Sequence, residues 1–433
     1  MRIIRRAIYF VVRRPFPKMN ISKKGINTTT VALTVVIIVV IVAAAAYIAV
    51  SPGKTNTVTQ TTTKTNTVTS LSTSVSTSVT TATSTSATYY QMILQANGGT
   101  FVNPLMQTWA SGFQQYTNNV VKLNYQAIGT GAAQTDILAN TGAFAGGDAP
   151  ISAAQIAAAA SADKGLGALL QFPEALGGVA IFYNLPGVTI HLNLTGPIIA
   201  DIYVGKITMW NDPAITALNP TITMPAQLIT PVHRSDGSGT TYALSNYLSK
   251  VSADWNATFS GGCPCYGTSL PSAVWGANAA NVGAKGSTAV ASYVLGNQYS
   301  IGYADSVYAT NAALLTASIK NQAGAFLTPT VAAIAAAAST DSAQVLANPT
   351  FTITNAPGES SYPISTYTYL YVWTNQTNYQ QGYDTAQLFE WIAIQGQSFS
   401  SNLNYAPLPA SVVTIDQGII SKMLYNGVPF IPA

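Results

Sequence analysis

Leu228-Ile229-Thr230-Pro231-Val232-His233-Arg234-Ser235-Asp236-Gly237-Ser238-Gly239-Thr240-Thr241-Tyr242-Ala243-Leu244-Ser245-Asn246-Tyr247-Leu248 carries the pattern that decides the fold. Leu228 to Val232 is an apolar, β-forming run and reads as a strand. The Ser, Asp and Gly residues after it read as a loop. Thr241 to Leu248 reads as a helix. A strand passing through a Gly/Ser loop into a helix is the building unit of an α/β domain. The alternation recurs along the chain. Leu105, Trp109, Phe113 and Tyr116 fall at helical spacing, and Val121, Leu123 and Tyr125 alternate as in a strand. Gly178 to Tyr183 and Tyr367 to Val372 are further strand candidates, and Pro197 to Tyr203 is a further helix. The pattern predicts α/β architecture with mostly parallel sheets. About 345 residues follow Tyr89, too many for one sheet system, so two lobes are expected.

The same stretch carries the chemistry. Arg234 is the only arginine after Arg14. A planar guanidinium that stays charged at any pH suits bidentate recognition of an oxyanion. The Ser238-Gly239-Thr240 run after it offers hydroxyls and backbone N–H groups at a helix start, where the dipole also favours an anion. The bland alternative is an Arg234–Asp236 ion pair beside an ordinary Ser/Thr cap. Two other segments repeat the pattern. Gly98-Gly99-Thr100-Phe101 precedes Asn103-Pro104, a cap followed by a proline suited to a first helical turn. Gly129-Thr130-Gly131 opens a helix through Gln134 to Leu138. Three such turns with one arginine favour an anion cradle over three unrelated caps. Asp148, in Gly146-Gly147-Asp148-Ala149-Pro150, is the odd member. A carboxylate repels an anion unless the anion donates it a proton. Protonated phosphate can do so and sulfate cannot, so the aspartate would select phosphate. Its bland alternative is an Asx turn.

Five ordered segments carry a family resemblance: Gly98-Gly99-Thr100-Phe101, Asn124 to Gly131, Gly147 to Pro150, Asp201 to Ile215, and Arg234 to Thr240. Together they resemble the periplasmic-type phosphate-binding protein of phosphate-specific ABC transporters, over most of residues 95 to 425. The resemblance implies a two-lobed periplasmic-binding-protein fold, type II-like with a hinge, that closes on inorganic phosphate. The implied division is lobe I over about 89–176 and 362–433, and lobe II over about 177–361. The implied ligands are Thr100 and Phe101, Thr130, Asp148, Arg234, Ser238, Gly239 and Thr240, with Asp236 holding the arginine in place. The implied partners are ABC permease subunits. The family commonly continues Ser-Gly-Gly after the position of Thr130, where this chain has Gly131-Ala132-Ala133. His233 stands where a second arginine can occur, and on its own residues reads as a strand-end surface group. His191 has no partner legible in the sequence.

Charge is scarce and unevenly placed. Of eighteen basic residues, eight lie before residue 25, and the first acidic residue is Asp136. The rest of the chain is left with ten basic against fourteen acidic residues, which argues against a nucleic-acid partner. Val31 to Val50 is almost wholly apolar and long enough to span a membrane as a helix. The basic cluster before it places the N-terminus in the cytoplasm and the remainder outside. Lys23-Lys24-Gly25 before Ile26 resembles the pilin-type (class III) signal peptides of archaea, cut after the glycine; an uncut anchor is the alternative. From Thr55 to Thr88, 23 of 34 residues are Ser or Thr, and so polar a segment cannot bury enough apolar area to offset its ordering. The chain thus divides into a basic leader (1–25), a transmembrane helix (26–50), a disordered and glycosylated stalk (51–88) and a binding domain (89–433). Asn193, Asn256 and Asn375 head N-x-Ser/Thr sequons, consistent with an external glycoprotein. Cys263 and Cys265 are the only cysteines; they fit a small disulfide, an inter-chain pair or free thiols, but no four-cysteine metal site. No cofactor, metal cluster or nucleophile–base pair is legible, so catalysis is not expected. The alternative class is a structural surface protein that assembles through its pilin-type leader and retains the receptor fold as a head.

Overall fold

Local sequence accounts for the first elements. β1 (Met92–Gly98) leads into α1 (Asn103–Tyr116), where Pro104 sits in the first turn. Leu105, Trp109 and Phe113 fall on its buried face, and the helix ends at Thr117 before Asn118 and Asn119, both at positive φ. β2 (Val121–Ala127) buries Val121, Leu123 and Tyr125 in alternation. The computed structural model describes residues 92–160, 165–258, 280–339 and 352–432, and Thr88–Ala433 form one compact unit. The leader, the apolar run 26–50, the stalk and the Cys263-Pro264-Cys265 loop lie outside the described residues. Among the described residues no helix is long and apolar enough to cross a membrane.

The chain continues through α2 (Thr130–Leu138), β3 (Phe144–Gly147), α3 (Ala153–Ala160), β4 (Leu169–Tyr183), β5 (Asn193–Leu194), α4 (Gly196–Tyr203) and α5 (Pro213–Leu218). Next come β6 (Thr230–Arg234), α6 (Gly239–Val251), α7 (Ala253–Thr258), β7 (Val282–Ala284), α8 (Gly286–Gly296), β8 (Ser300–Asp305) and α9 (Ser306–Asn311). After these stand β9 (Leu315–Thr316), β10 (Ser318–Lys320), β11 (Phe326–Leu327), α10 (Val331–Ala338), β12 (Ser365–Trp373), α11 (Tyr379–Ile394) and α12 (Ala410–Ile420). A hairpin of β13 (Leu424–Tyr425) and β14 (Val428–Pro429) follows.

The main sheet runs β2-β1-β3-β12-β4-β8-β6-β7, with β9 added on β4. β1 is parallel to β2 and to β3, and β6 is parallel to β7 and to β8. The expectation of a mostly parallel sheet needs correcting at the centre. β12 is antiparallel to both β3 and β4, and β4 is antiparallel to β8. The reason is connectivity. Residues Leu169–Gly178 of β4 pair with β12, and Val179–Tyr183 of the same strand pair with β8. One strand therefore belongs to both half-sheets and changes partner between Gly178 and Val179. The sequence reading began this strand at Gly178; Pro173, Glu174 and Gly177 resemble breakers but lie inside it. The ladder absorbs them with a register shift, since Thr368 opposes Ala175 while Tyr369 opposes Pro173, so Glu174 is bulged out of register. All nine residues of β12 are buried, as expected of a strand covered on both faces.

The core falls into two clusters and is rich in aromatics. Trp109 and Trp210 are fully buried, and each satisfies its indole N–H on a carbonyl, Gly396 O at 2.7 Å and Tyr299 O at 2.9 Å. The Asp201 to Ile215 segment, singled out in the sequence, builds this framework: Trp210 is core and Asp212 caps α5, accepting from Ala214 N–H at 2.8 Å.

Candidate functional site

The loops that leave β1, β2, β3, β6 and β7 at their C-terminal ends converge, and the five lead into helices α1, α2, α3, α6 and α8. In open α/β sheets this is where ligands bind, because helix N-termini and strand-end loops both face the crevice. Thr100, Phe101, Asp148 and Ser238 lie on these loops, Arg234 ends β6, and Thr130, Gly239 and Thr240 stand in the first turns of α2 and α6.

Their approach is close. Gly239 faces Asp148 so tightly that a Cβ built on it would stand 2.5 Å from the Asp148 Cβ, and one on Gly99 would stand 2.9 Å from Thr130 Oγ1. Gly129, at φ +96°, leaves no room for a side chain against Asp236. Gly131 N–H donates to Gly237 O at 3.1 Å, tying the β2 loop to the β6 loop.

Arg234 is buried and its fork is largely committed. Nε donates to Asp236 Oδ1 at 2.7 Å and Nη2 to Asp236 Oδ2 at 2.6 Å; Nη1 donates to Ser287 Oγ at 3.3 Å. Burial pushes the Asp236 carboxyl up, but the hydrogen bonds and charge of Arg234 and the N–H of Gly286 outweigh it and hold it below the usual range. Ser238 caps α6, accepting from Thr241 N–H at 3.1 Å. The ion pair and the cap, offered by the sequence as a purely structural alternative, are thus both present.

Two buried atoms go beyond that alternative. Asp148 is 1% exposed, and its Oδ2 accepts from Thr130 Oγ1 at 3.2 Å while its Oδ1 has no partner. No Asx turn is formed; the side chain reaches across to α2 instead. Thr240 is fully buried and its Oγ1 has no partner either. Unpartnered buried polar atoms each cost about 1–3 kcal/mol, so one on the loop after β3 and one in the first turn of the facing α6 point to a polar ligand between them. Burial pushes the Asp148 carboxyl up to about 7, with the Arg234 charge and the Thr130 hydroxyl acting against it.

Phe101 is fully buried; Tyr405 O–H donates to its carbonyl at 2.6 Å, fixing the loop before α1. Asn103 does not cap that helix. It is the first helical residue, and its Oδ1 accepts from Gln107 Nε2 at 3.0 Å, because Val102 takes the cap position. His233 is also corrected: it is 8% exposed rather than a surface group, packed within β6 with Nδ1 3.0 Å from Arg234 O. Burial lowers its pKa, so it does not replace a second arginine near neutrality. His191 has a partner the sequence did not reveal, Thr316 O at 2.6 Å from Nδ1.

Sequence reasoning missed Ser287, buried between Thr100 and Arg234. The signal was present in Lys285-Gly286-Ser287-Thr288, again glycine then hydroxyl at a helix start, but β7 before it is only three residues long. Two buried carboxyls near Asp148 were also missed. Glu174, in the bulge of β4, is pushed well up by burial and then by the charge of Asp148. Asp305 caps α9 through Val307 N–H at 2.9 Å and is likewise pushed well up by burial. Beside the cradle lies a cleft of about 280 Å³, lined by Thr100, Asn103, Asp236, Lys285 and Tyr308 among others. Among the described residues no group of His, Cys, Asp or Glu side chains could hold a metal ion.

The PBP superfamily domain matches residues 47–393. The phosphate-binding protein PstS of Haemophilus influenzae is 37% identical over 318 residues, 73% of this chain and 89% of that protein. The chain belongs to the PstS phosphate-binding protein family. Its relatives include the PstS of Methanocaldococcus jannaschii, 30% identical over 347 residues, 77% of this chain and 86% of that protein. Among solved structures, a high-affinity periplasmic phosphate-binding protein with phosphate bound is 20% identical, with a TM-score of 0.60 over 78% of this chain and 99% of that one. That likeness shows the two-lobed periplasmic-binding-protein fold, a mixed α/β sheet shared between lobes. The PstS relatives are binding proteins of transport rather than enzymes.

Proposed function

We propose that this PstS-family chain captures inorganic phosphate between its two half-sheets and passes it to an ABC permease for import. The observation that carries the reading is the Asp148 carboxyl, buried with one oxygen unpartnered beside an arginine already paired to Asp236. Arg234 and Asp236 together bring little net charge, so the anion is held mainly by directed donors. Thr100, Ser238 and Thr240 offer hydroxyls, Thr130 adds its own when it turns from Asp148 to the anion, and Phe101 and Gly239 offer N–H groups at helix starts. Asp148 accepts a proton from the anion when ionised and donates one when protonated. Sulfate has no proton to give and meets a repelling carboxylate once the pH is above about 7. Closure follows because only the closed form brings donors from both half-sheets to one anion.

The change of partner along β4 at Gly178 and Val179 supports a lobe boundary there, with lobe I from residues 89–176 and 362–433 and lobe II from 177–361. The form is an anchored receptor: 26–50 spanning the membrane after a leader cut or uncut at Gly25, 51–88 a glycosylated stalk, and the binding domain outside the cell. Of the three sequon asparagines, Asn375 is the exposed one. Competition titration tests the reading: phosphate should displace a phosphate reporter at one site per chain, and sulfate at equal concentration should not. Displacement by both anions alike would refute the role given to Asp148.

A further inference from the structure

Ser287 stands at the start of α8, on the half-sheet that carries Arg234, and it is fully buried. Thr100 stands at the end of β1, on the other half-sheet. The two hydroxyl oxygens are 2.9 Å apart, and Ser287 N–H donates to Thr100 Oγ1 at 3.2 Å. Arg234 Nη1 donates to Ser287 Oγ at 3.3 Å. Tyr308 O–H donates to the Thr100 carbonyl, again reaching Thr100 from the Arg234 side.

Either hydroxyl can be the donor between the two oxygens, and one of the two directions leaves a donor at Thr100 for an anion. A guanidinium only donates, so Ser287 Oγ accepts from Arg234 and keeps its own hydrogen to give. Thr100 Oγ1 already accepts from Ser287 N–H and can accept the Ser287 hydroxyl as well. In that direction both acceptor positions of Thr100 Oγ1 are filled and its hydrogen points away from Ser287. An oxyanion needs donors, and successive donors polarise one another.

We propose that Ser287 is a positioning residue for anion capture: it ties the two half-sheets together through Thr100 and turns the Thr100 hydroxyl hydrogen onto the anion. This rests on the phosphate reading given above. The tie forms only when the half-sheets meet, so its loss acts on release rather than on first encounter. A hydrogen bond in a chain headed by a charged donor carries a release-rate effect on the order of tenfold.

The test uses the full chain, stripped of phosphate, with inorganic phosphate as probe. Stopped-flow release and titration are run on the parent, Ser287→Ala, Ser287→Cys, Thr100→Val and the Ser287→Ala/Thr100→Val pair. Ser287→Ala should release phosphate about tenfold faster with an unchanged association rate, and its thermal midpoint should shift only in the phosphate-bound form. Ser287→Cys, which keeps the volume and weakens the hydrogen bonds, should show the same direction and guards against a packing defect in the alanine variant. In the Thr100→Val background Ser287→Ala should add nothing, because the two residues act as one unit. Release at the parent rate, or losses that add in the double variant, would overturn the proposal. A parent that binds no phosphate would overturn the phosphate reading itself, and the latch with it.

Discussion

The loop after β6 and the loop after β3 bring one acid each to the same crevice, Asp236 and Asp148, and the two acids end in opposite states. Asp236 holds both forks of Arg234 and a backbone N–H, and its pKa is lowered. Asp148 has one hydroxyl on one oxygen, nothing on the other, and a pKa pushed up to about 7. Both lie near the same guanidinium. The difference is geometry: Asp236 lies two residues from Arg234 and meets its planar edge, whereas Asp148 faces the start of α6 across the gap. One loop is complete without a ligand, and the other is not. On the phosphate reading proposed above, the complete loop supplies a fixed frame and the incomplete one discriminates between ligands.

The largest way to break this contrast is Arg234→Ala. It leaves the half-buried Asp236 without its partner, a change that costs at most the about 3–5 kcal/mol of a fully buried pair. Affinity for every anion should fall by on the order of a thousandfold, together with a clear drop in thermal midpoint, read by calorimetry and thermal unfolding. An Arg234→Ala protein that keeps parent affinity would show that the β6 loop is not the frame. Asp148→Asn comes next. Phosphate should weaken and sulfate strengthen, with the ratio of their affinities falling on the order of a hundredfold, since an amide can donate to either anion. Parallel titrations with the two anions check this. A smaller effect is expected from Gly239→Ala, whose added methyl would press on Asp148 and hold the loops apart. Phosphate affinity should drop about tenfold, and the thermal midpoint without ligand should fall as well, because the methyl meets the Asp148 backbone.

A separate effect, read on stability rather than on affinity, is its dependence on pH. Asp148 ionises in the unfolded chain near 3.8 and in the folded chain near 7, so between these values the folded state holds the extra proton. Its contribution is fully present below pH about 4 and is lost as pH rises to about 7. Without ligand, the parent should lose stability across this window relative to Asp148→Asn, measured by denaturant unfolding at several pH values. Parallel curves for the two proteins would place the raised pKa elsewhere.

Much of this was legible in the sequence, for identifiable reasons. Helical spacing at Leu105, Trp109 and Phe113 and alternation at Val121, Leu123 and Tyr125 report burial on one face, which local pattern records well. Repeated glycine-then-hydroxyl turns exposed Thr100, Thr130 and Ser238 as a group. What failed was what depends on partners distant in the chain. β4 reads as broken because Pro173, Glu174 and Gly177 are poor strand residues alone, yet pairing with β12 through a bulge overrides them. His233 reads as a strand end but is covered, with β7 and β8 paired to its strand on either side. Ser287 is meaningful only because Thr100, 187 positions earlier, comes to meet it.

The most direct test of the central claim is calorimetric titration of residues 88–433, stripped of bound ligand, with phosphate and then with sulfate at pH 8. The account predicts one-to-one phosphate binding and no sulfate heat, with sulfate binding emerging only as the pH falls below about 7 and Asp148 gains a proton. Sulfate binding at pH 8 as strong as phosphate binding would contradict it.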